Sequence, residues 1–249
     1  MSAALKVLIV AEGPSEIGEL DALAGGPRRG AGRCEGFVPP MLRKLLGVDL
    51  EIDAQRVSAI GRFKKRPRLP GHGDRAAQAL VLAATQGYGL LVFVKDVDRY
   101  SGTKRSAHER RKKQREMHQQ IEQGFNAVAG AGHVERVKAT PCRMIEAWAL
   151  GDADAVVAVA GERAVRAEVP DSPEDLWGDE RDPRSKHPKC VLRRALGADA
   201  DRLLFEQLAV EANPDTLRRS CPDSFALFVD EVARVKGRRF PRSGTRIGR

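Results

Sequence analysis

The chain has 249 residues, 42% of them apolar and 31% charged, which suits one large globular domain or a core with an appendage. A formal net charge of +9 favours a polyanionic partner, while an aromatic content of 5% argues against single-strand binding by rows of stacked rings. No segment reaches membrane-spanning length, and the first apolar run is too short for a signal sequence, so a cytoplasmic protein with no membrane partner is expected.

Leu5 to Val10 is a short run rich in branched residues and predicts a buried strand of a parallel sheet. Glu12-Gly13 follows it. Pro14-Ser15-Glu16 then reads as a helix start, with Glu16 and Glu19 at the positive end of the helix dipole. Residues 25–32 form a Gly/Arg loop, Phe37 to Leu46 has helical spacing, and Leu50 to Ile60 alternates as a strand does. The basic loop Arg62 to Arg68 closes at Pro70-Gly71, and Asp74 is placed to cap a helix running through Ala84.

Leu90 to Val94 predicts a second buried strand, followed by Lys95-Asp96-Val97-Asp98-Arg99. Ser106 to Ala129 is a long polar helix whose apolar stripe is Met117, Ile121, Phe125 and Val128, with His108 and His118 as surface residues. Val134 to Ala139 is a further strand. Pro141 opens a helix on which Met144 and Trp148 pack inward, and Arg143 and Glu146, three apart, read as a surface pair unless Glu146 serves a metal. Asp152 caps the next helix. Val169 to Pro188 reads as a linker or long ordered loop, Val191 to Val210 and Phe225 to Val235 as helices, and Lys236 to Arg249 as a frayed basic tail.

The order of strands and helices implies an α/β fold with a mainly parallel sheet flanked by helices. Residues 1–165 are expected to form the core and residues 166–249 a linker and helical C-terminal extension packed on it. Cys34, Cys142, Cys190 and Cys221 are scattered, so neither zinc nor redox chemistry is expected, and a reducing compartment fits. There is no Walker A sequence and no G-x-G-x-x-G, so no ATPase or dinucleotide activity is expected of the chain itself.

In an open α/β sheet, ligands bind beyond the carboxyl ends of the strands. Glu12, Asp96 and Asp98 are therefore expected on one rim, where their mutual repulsion calls for a hard divalent cation such as magnesium. Arg99 stands next to them to receive a phosphate oxygen. The basic stretch Lys104, Arg105, Arg110, Arg111, Lys112 and Lys113 follows directly and is either a solvated helix face or a phosphate-tracking surface.

Four motifs in order, Ala11-Glu12-Gly13-Pro14-Ser15-Glu16, Lys95-Asp96-Val97-Asp98, Ile145-Glu146-Ala147-Trp148 and Ser220-Cys221-Pro222-Asp223-Ser224-Phe225, carry a resemblance. The first two resemble the Toprim fold, a Rossmannoid fold shared by topoisomerases, bacterial primases and the overcoming-lysogenization-defect nucleases. The finer text is closer to an uncharacterised Toprim-related bacterial family. The resemblance implies a metal-dependent nuclease in which Glu12 is acid/base or ligand, Asp96 and Asp98 hold Mg2+ or Mn2+, and Glu16 and Glu146 supply further ligands. Lys95 and Arg99 would offset developing charge. It further implies nucleic acid as substrate, DNA before RNA, a defence-system setting and a separate ATPase subunit, and it allows a homo-oligomer. The alternative is a non-catalytic module that binds nucleic acid or a partner protein.

Overall fold

The computed structural model describes residues 4–19, 34–61, 69, 71–97 and 106–240. Four strands, β1 (Leu5–Ala11), β2 (Leu50–Arg56), β3 (Leu90–Val94) and β4 (Glu135–Ala139), form one sheet of order β2-β1-β3-β4. Every neighbouring pair is parallel. Helices cover both faces, so the fold is α/β as the element order implies.

Because successive side chains of a strand point to opposite faces, β1 and β3 feed two separate cores. Val7, Ile9 and Ala11 join Leu90, Val92 and Val94 on one face, and Leu8 and Val10 join Leu91 and Phe93 on the other. The crossover from β1 to β2 uses α2 (Val38–Leu46) on the first face. The crossovers from β2 to β3 and from β3 to β4 use α3 (Gly73–Thr85) and α4 (Ala107–Asn126) on the second. Reversing the direction of travel across the sheet moves the helix to the opposite face, as right-handed connections require.

The rest of the chain packs on the α2 face. It comprises α5 (Ile145–Ala149), α6 (Ala153–Ala160), α7 (Pro188–Leu196), α8 (Arg202–Glu211), α9 (Pro214–Ser220) and α10 (Phe225–Arg239). Helix α10 lies against β4 and α2. Its Phe225 and Phe228 hold Trp148 of α5 between ring centroids 5.1 and 5.4 Å away.

Several expected boundaries move. Strand β2 stops at Arg56, where Val57–Ala59 coil into a 3-10 turn instead of continuing to Ile60. Asp74 lies inside the first turn of α3, and His72 takes the capping position without a side-chain hydrogen bond. The helix expected over Val191 to Val210 is two helices. Gly197, at φ 64°, ends α7 in the left-handed conformation that favours glycine, and the Asp201 carboxylate accepts from the Leu204 amide at 2.9 Å to start α8. Residues 169–187 form an ordered loop with a 3-10 turn at Pro173–Asp175, and Pro188 already opens α7. Asp152 caps α6, as expected. The Gly/Arg loop, the loop Arg62 to Arg68, and residues 241–249 lie outside the described residues. Among the described residues no helix is long and apolar enough to cross a membrane.

Candidate functional site

Strands β1 and β3 are adjacent at the centre of the sheet, and the chain leaves them toward opposite edges. The crevice beyond their carboxyl ends is the switch point of the fold. Val10 pairs with Phe93, so two residues further on Glu12 and Lys95 leave the sheet side by side. The Lys95 ammonium forms an ion pair with Glu12 Oε1. The ladder between β3 and β4 continues past the strand ends, for the Lys95 amide donates to Ala139 O at 2.9 Å and the Val97 amide to Pro141 O at 3.1 Å. Alternation then turns Lys95 toward the α3/α4 face and Asp96 toward the α2/α5 face.

Two further carboxylates reach the Asp96 side. Glu16 lies in α1 (Pro14–Ile17), a single turn that is pinned from outside: the Phe37 amide donates to Ser15 O at 3.0 Å and the Glu19 amide to Cys34 O at 2.7 Å. The close approach needs a glycine, since a Cβ on Gly18 (φ 57°) would stand 2.2 Å from Cys34 O. Glu16 is buried and turns back so that its Oε2 lies 3.3 Å from where a Cβ of Gly13 would be. Glu146 is buried in the first turn of α5, a helix fixed by the Trp148 side chain. The surface pair expected of Arg143 and Glu146 does not form at the surface, since these residues are only 3% and 6% exposed. Arg143 precedes α5 with a left-handed backbone, φ 69°.

Burial pushes the Asp96 carboxyl well above the usual carboxylate range, and Glu16, Glu146 and Glu12 push it further in that order, against a smaller pull from Lys95. Glu12 Oε2 and Asp96 Oδ1 are buried with no hydrogen-bond partner among the described residues. The structure therefore brings Glu12, Glu16, Lys95, Asp96 and Glu146 to one rim. Asp98, Arg99, Lys104 and Arg105 lie outside the described residues.

Sequence reasoning missed His72 on the Glu12 side of the crevice. Burial lowers its pKa, the charge of Lys95 lowers it further and Glu12 opposes, so the imidazole is held neutral. The available signal was topological, because a helix that returns from β2 starts at the carboxyl rim of the sheet. His118, expected at the surface, is half-buried beside the end of β4, where its Nε2 bonds Thr140 Oγ1 at 2.7 Å. Burial and then Lys138 push it down to about 4.

The basic stretch of α4 is divided. Arg110 is buried and paired with Asp175 and, at 3.9 Å, Asp223. Arg111 is exposed and paired with Asp223 at 2.7 Å. Lys112 is exposed and Lys113 half-buried.

No family model, curated protein or solved structure matches this chain. Among the described residues no group of three or more His, Cys, Asp and Glu side chains is arranged to hold a metal ion. Lys95 already sits on Glu12 and occupies the place of a cation there. The donor set is nevertheless all oxygen, with Glu12 Oε2 and Asp96 Oδ1 lacking hydrogen-bond partners among the described residues and Asp96 set among like charges, and that composition is of the kind a hard dication takes.

Proposed function

We propose that this chain is a Toprim-like, metal-dependent nuclease that hydrolyses phosphodiesters of nucleic acid, with DNA favoured over RNA. The observation that carries the reading is Asp96, a buried carboxyl with an orphaned oxygen, repelled by three other carboxylates at the switch point of a parallel sheet. Such an arrangement costs stability unless a cation joins it, and proteins retain costs of this kind at functional sites.

Glu12, Asp96, Glu16 and Glu146 would hold Mg2+ or Mn2+, joined by Asp98. The chemistry such an ion supplies when bound is polarisation of a phosphoryl oxygen and easier deprotonation of water. Lys95 and Arg99 would offset charge that develops on the phosphoryl oxygens. Neutral His72 can accept a proton beside Glu12. The net charge of +9 supplies long-range attraction for a polyanion. A separate ATPase subunit and a place in a defence system belong to the same proposal.

The purified protein is expected to nick or degrade DNA or RNA with magnesium or manganese. Glu12→Gln and Asp96→Asn should each slow this by roughly 100-fold or more. Asp96→Asn should also raise the thermal midpoint, because it removes a buried carboxyl whose ionisation burial and three neighbouring acids oppose, and this shows that the inactive variant is folded. Absence of cleavage with every divalent ion, alone and with an ATPase, would overturn the proposal. Salt-sensitive binding without cleavage, little changed by Asp98→Asn, would instead establish the non-catalytic module.

A further inference from the structure

Beside the acidic rim, on the face occupied by Asp96, a cavity of about 240 Å³ lies between α1, α5, α7 and α8. Glu146 forms part of its wall, so the cavity and the carboxylate cluster share a residue. Leu192 and Phe205, both buried, supply an apolar floor. Lys189 and Arg193, four residues apart and therefore on one side of α7, supply two cations.

We propose that this cavity is a subsite for one nucleotide of the substrate strand, with its phosphate held by Lys189 and Arg193. The inference rests on the reading of the acidic rim as a phosphodiester-hydrolysing site. The volume is below the roughly 300–1,000 Å³ of pockets that enclose drug-sized ligands, which limits the occupant to a single small unit. An apolar floor and two cations on one helix, set against the carboxylates of Glu146 and Asp199, can take a nucleoside whose phosphate lies on the α7 side.

Both cations have acidic neighbours. Lys189 pairs with Glu180 at 2.7 Å and Arg193 pairs with Asp199, with the two carboxylate side chains 56% and 81% exposed. Pairs this wet are worth little, so a phosphate with several charge-assisted contacts can replace them. The unfavourable members are Glu146 and Asp199, both in the lining, whose carboxylates repel a phosphate in the cavity; Asp199 is the exposed partner that a phosphate on Arg193 would displace. The subsite therefore places one phosphate on α7 and leaves the next phosphodiester of the strand beside Glu146 and the other acids.

The test uses the full chain without divalent metal, titrated calorimetrically at low salt with adenosine 5′-monophosphate and with adenosine. The nucleotide should bind at least tenfold more tightly than the nucleoside. Lys189→Ala with Arg193→Ala should weaken nucleotide binding roughly tenfold or more. Ala200→Trp, which fills the cavity and leaves the charges in place, should do the same. In the cleavage assay both variants should raise KM and leave kcat within about threefold. Equal binding of nucleotide and nucleoside, or nucleotide binding indifferent to both variants, overturns the subsite. Cleavage with unchanged KM in both variants overturns it too, while the nuclease reading stands. Nucleotide binding of the stated pattern without any cleavage leaves a nucleotide-binding cavity and removes the nuclease, and with it the cavity's role as a substrate subsite.

Discussion

Glu174 is a second buried acid whose environment sets its behaviour. It accepts from the Ser224 hydroxyl and, at 2.8 Å, from the Asp223 amide, and Ser224 Oγ in turn accepts from the Trp148 indole at 2.7 Å. Burial raises its pKa from 4.5 to about 7, against the lowering effect of those hydrogen bonds and with some help from the charge of Asp223. The folded state therefore holds a proton that the unfolded state releases. That contribution to stability is full below pH 4.5 and is lost as pH rises through about 7. On its own Glu174 should lower stability by on the order of 3 kcal/mol across this window. His118, pushed down from 6.5 to about 4, raises stability with pH between those values. Chemical denaturation at a series of pH values therefore reads the Glu174 contribution as the difference between the protein and Glu174→Gln. Glu174→Gln should flatten the part of the slope that Glu174 supplies. Asp96 has a raised pKa of the same sign, so the slope is best compared in an Asp96→Asn background.

At the scale of elements, periodicity read α4 well. Met117, Ile121 and Phe125 are buried as its stripe requires, and Ser106 and Glu109 form a reciprocal capping box. The charges on its exposed-looking face were not legible. Arg110 is turned inward by acids from residues 175 and 223, and nothing local marks it apart from Arg111. Arg110→Ala is expected to cost about 1–2 kcal/mol in denaturant unfolding, because it removes a buried side chain together with its pairs to Asp175 and Asp223, the latter still held by Arg111, whereas Lys112→Ala should leave stability within about 0.5 kcal/mol. If nucleic acid follows this helix, Lys112→Ala should lower the salt slope of binding by about one.

The site was legible to the same degree. Glu12 and Asp96 could be placed because apolar runs Leu5 to Val10 and Leu90 to Val94 announce strands, and strand ends define the rim. Arg143 and His72 could not, since their burial is decided by segments far away in sequence. Helix α9 escaped notice because it buries a single residue, Leu217, and is announced mainly by its Asn213 cap.

Across the whole molecule, one apolar core runs from Val7 in β1 to Val235 in α10. The C-terminal region is thus part of the body that supports the rim, and α10 covers β4 directly. A chain ending after Val165 would expose Trp148, Val137 and the α2 surface to water. It should lose cooperative thermal unfolding and bind hydrophobic dyes, and a sharp transition in that fragment would show that residues 1–165 fold alone.

The grip of Phe225 and Phe228 on Trp148 also bears on the order of events during synthesis. A ribosome releases Glu12, Asp96 and Glu146 long before it releases the two phenylalanines that fix α5. Until α10 has emerged, the short helix bearing Glu146 lacks this aromatic clamp. If the proposed cleavage activity holds, it would stay silent until α10 has emerged.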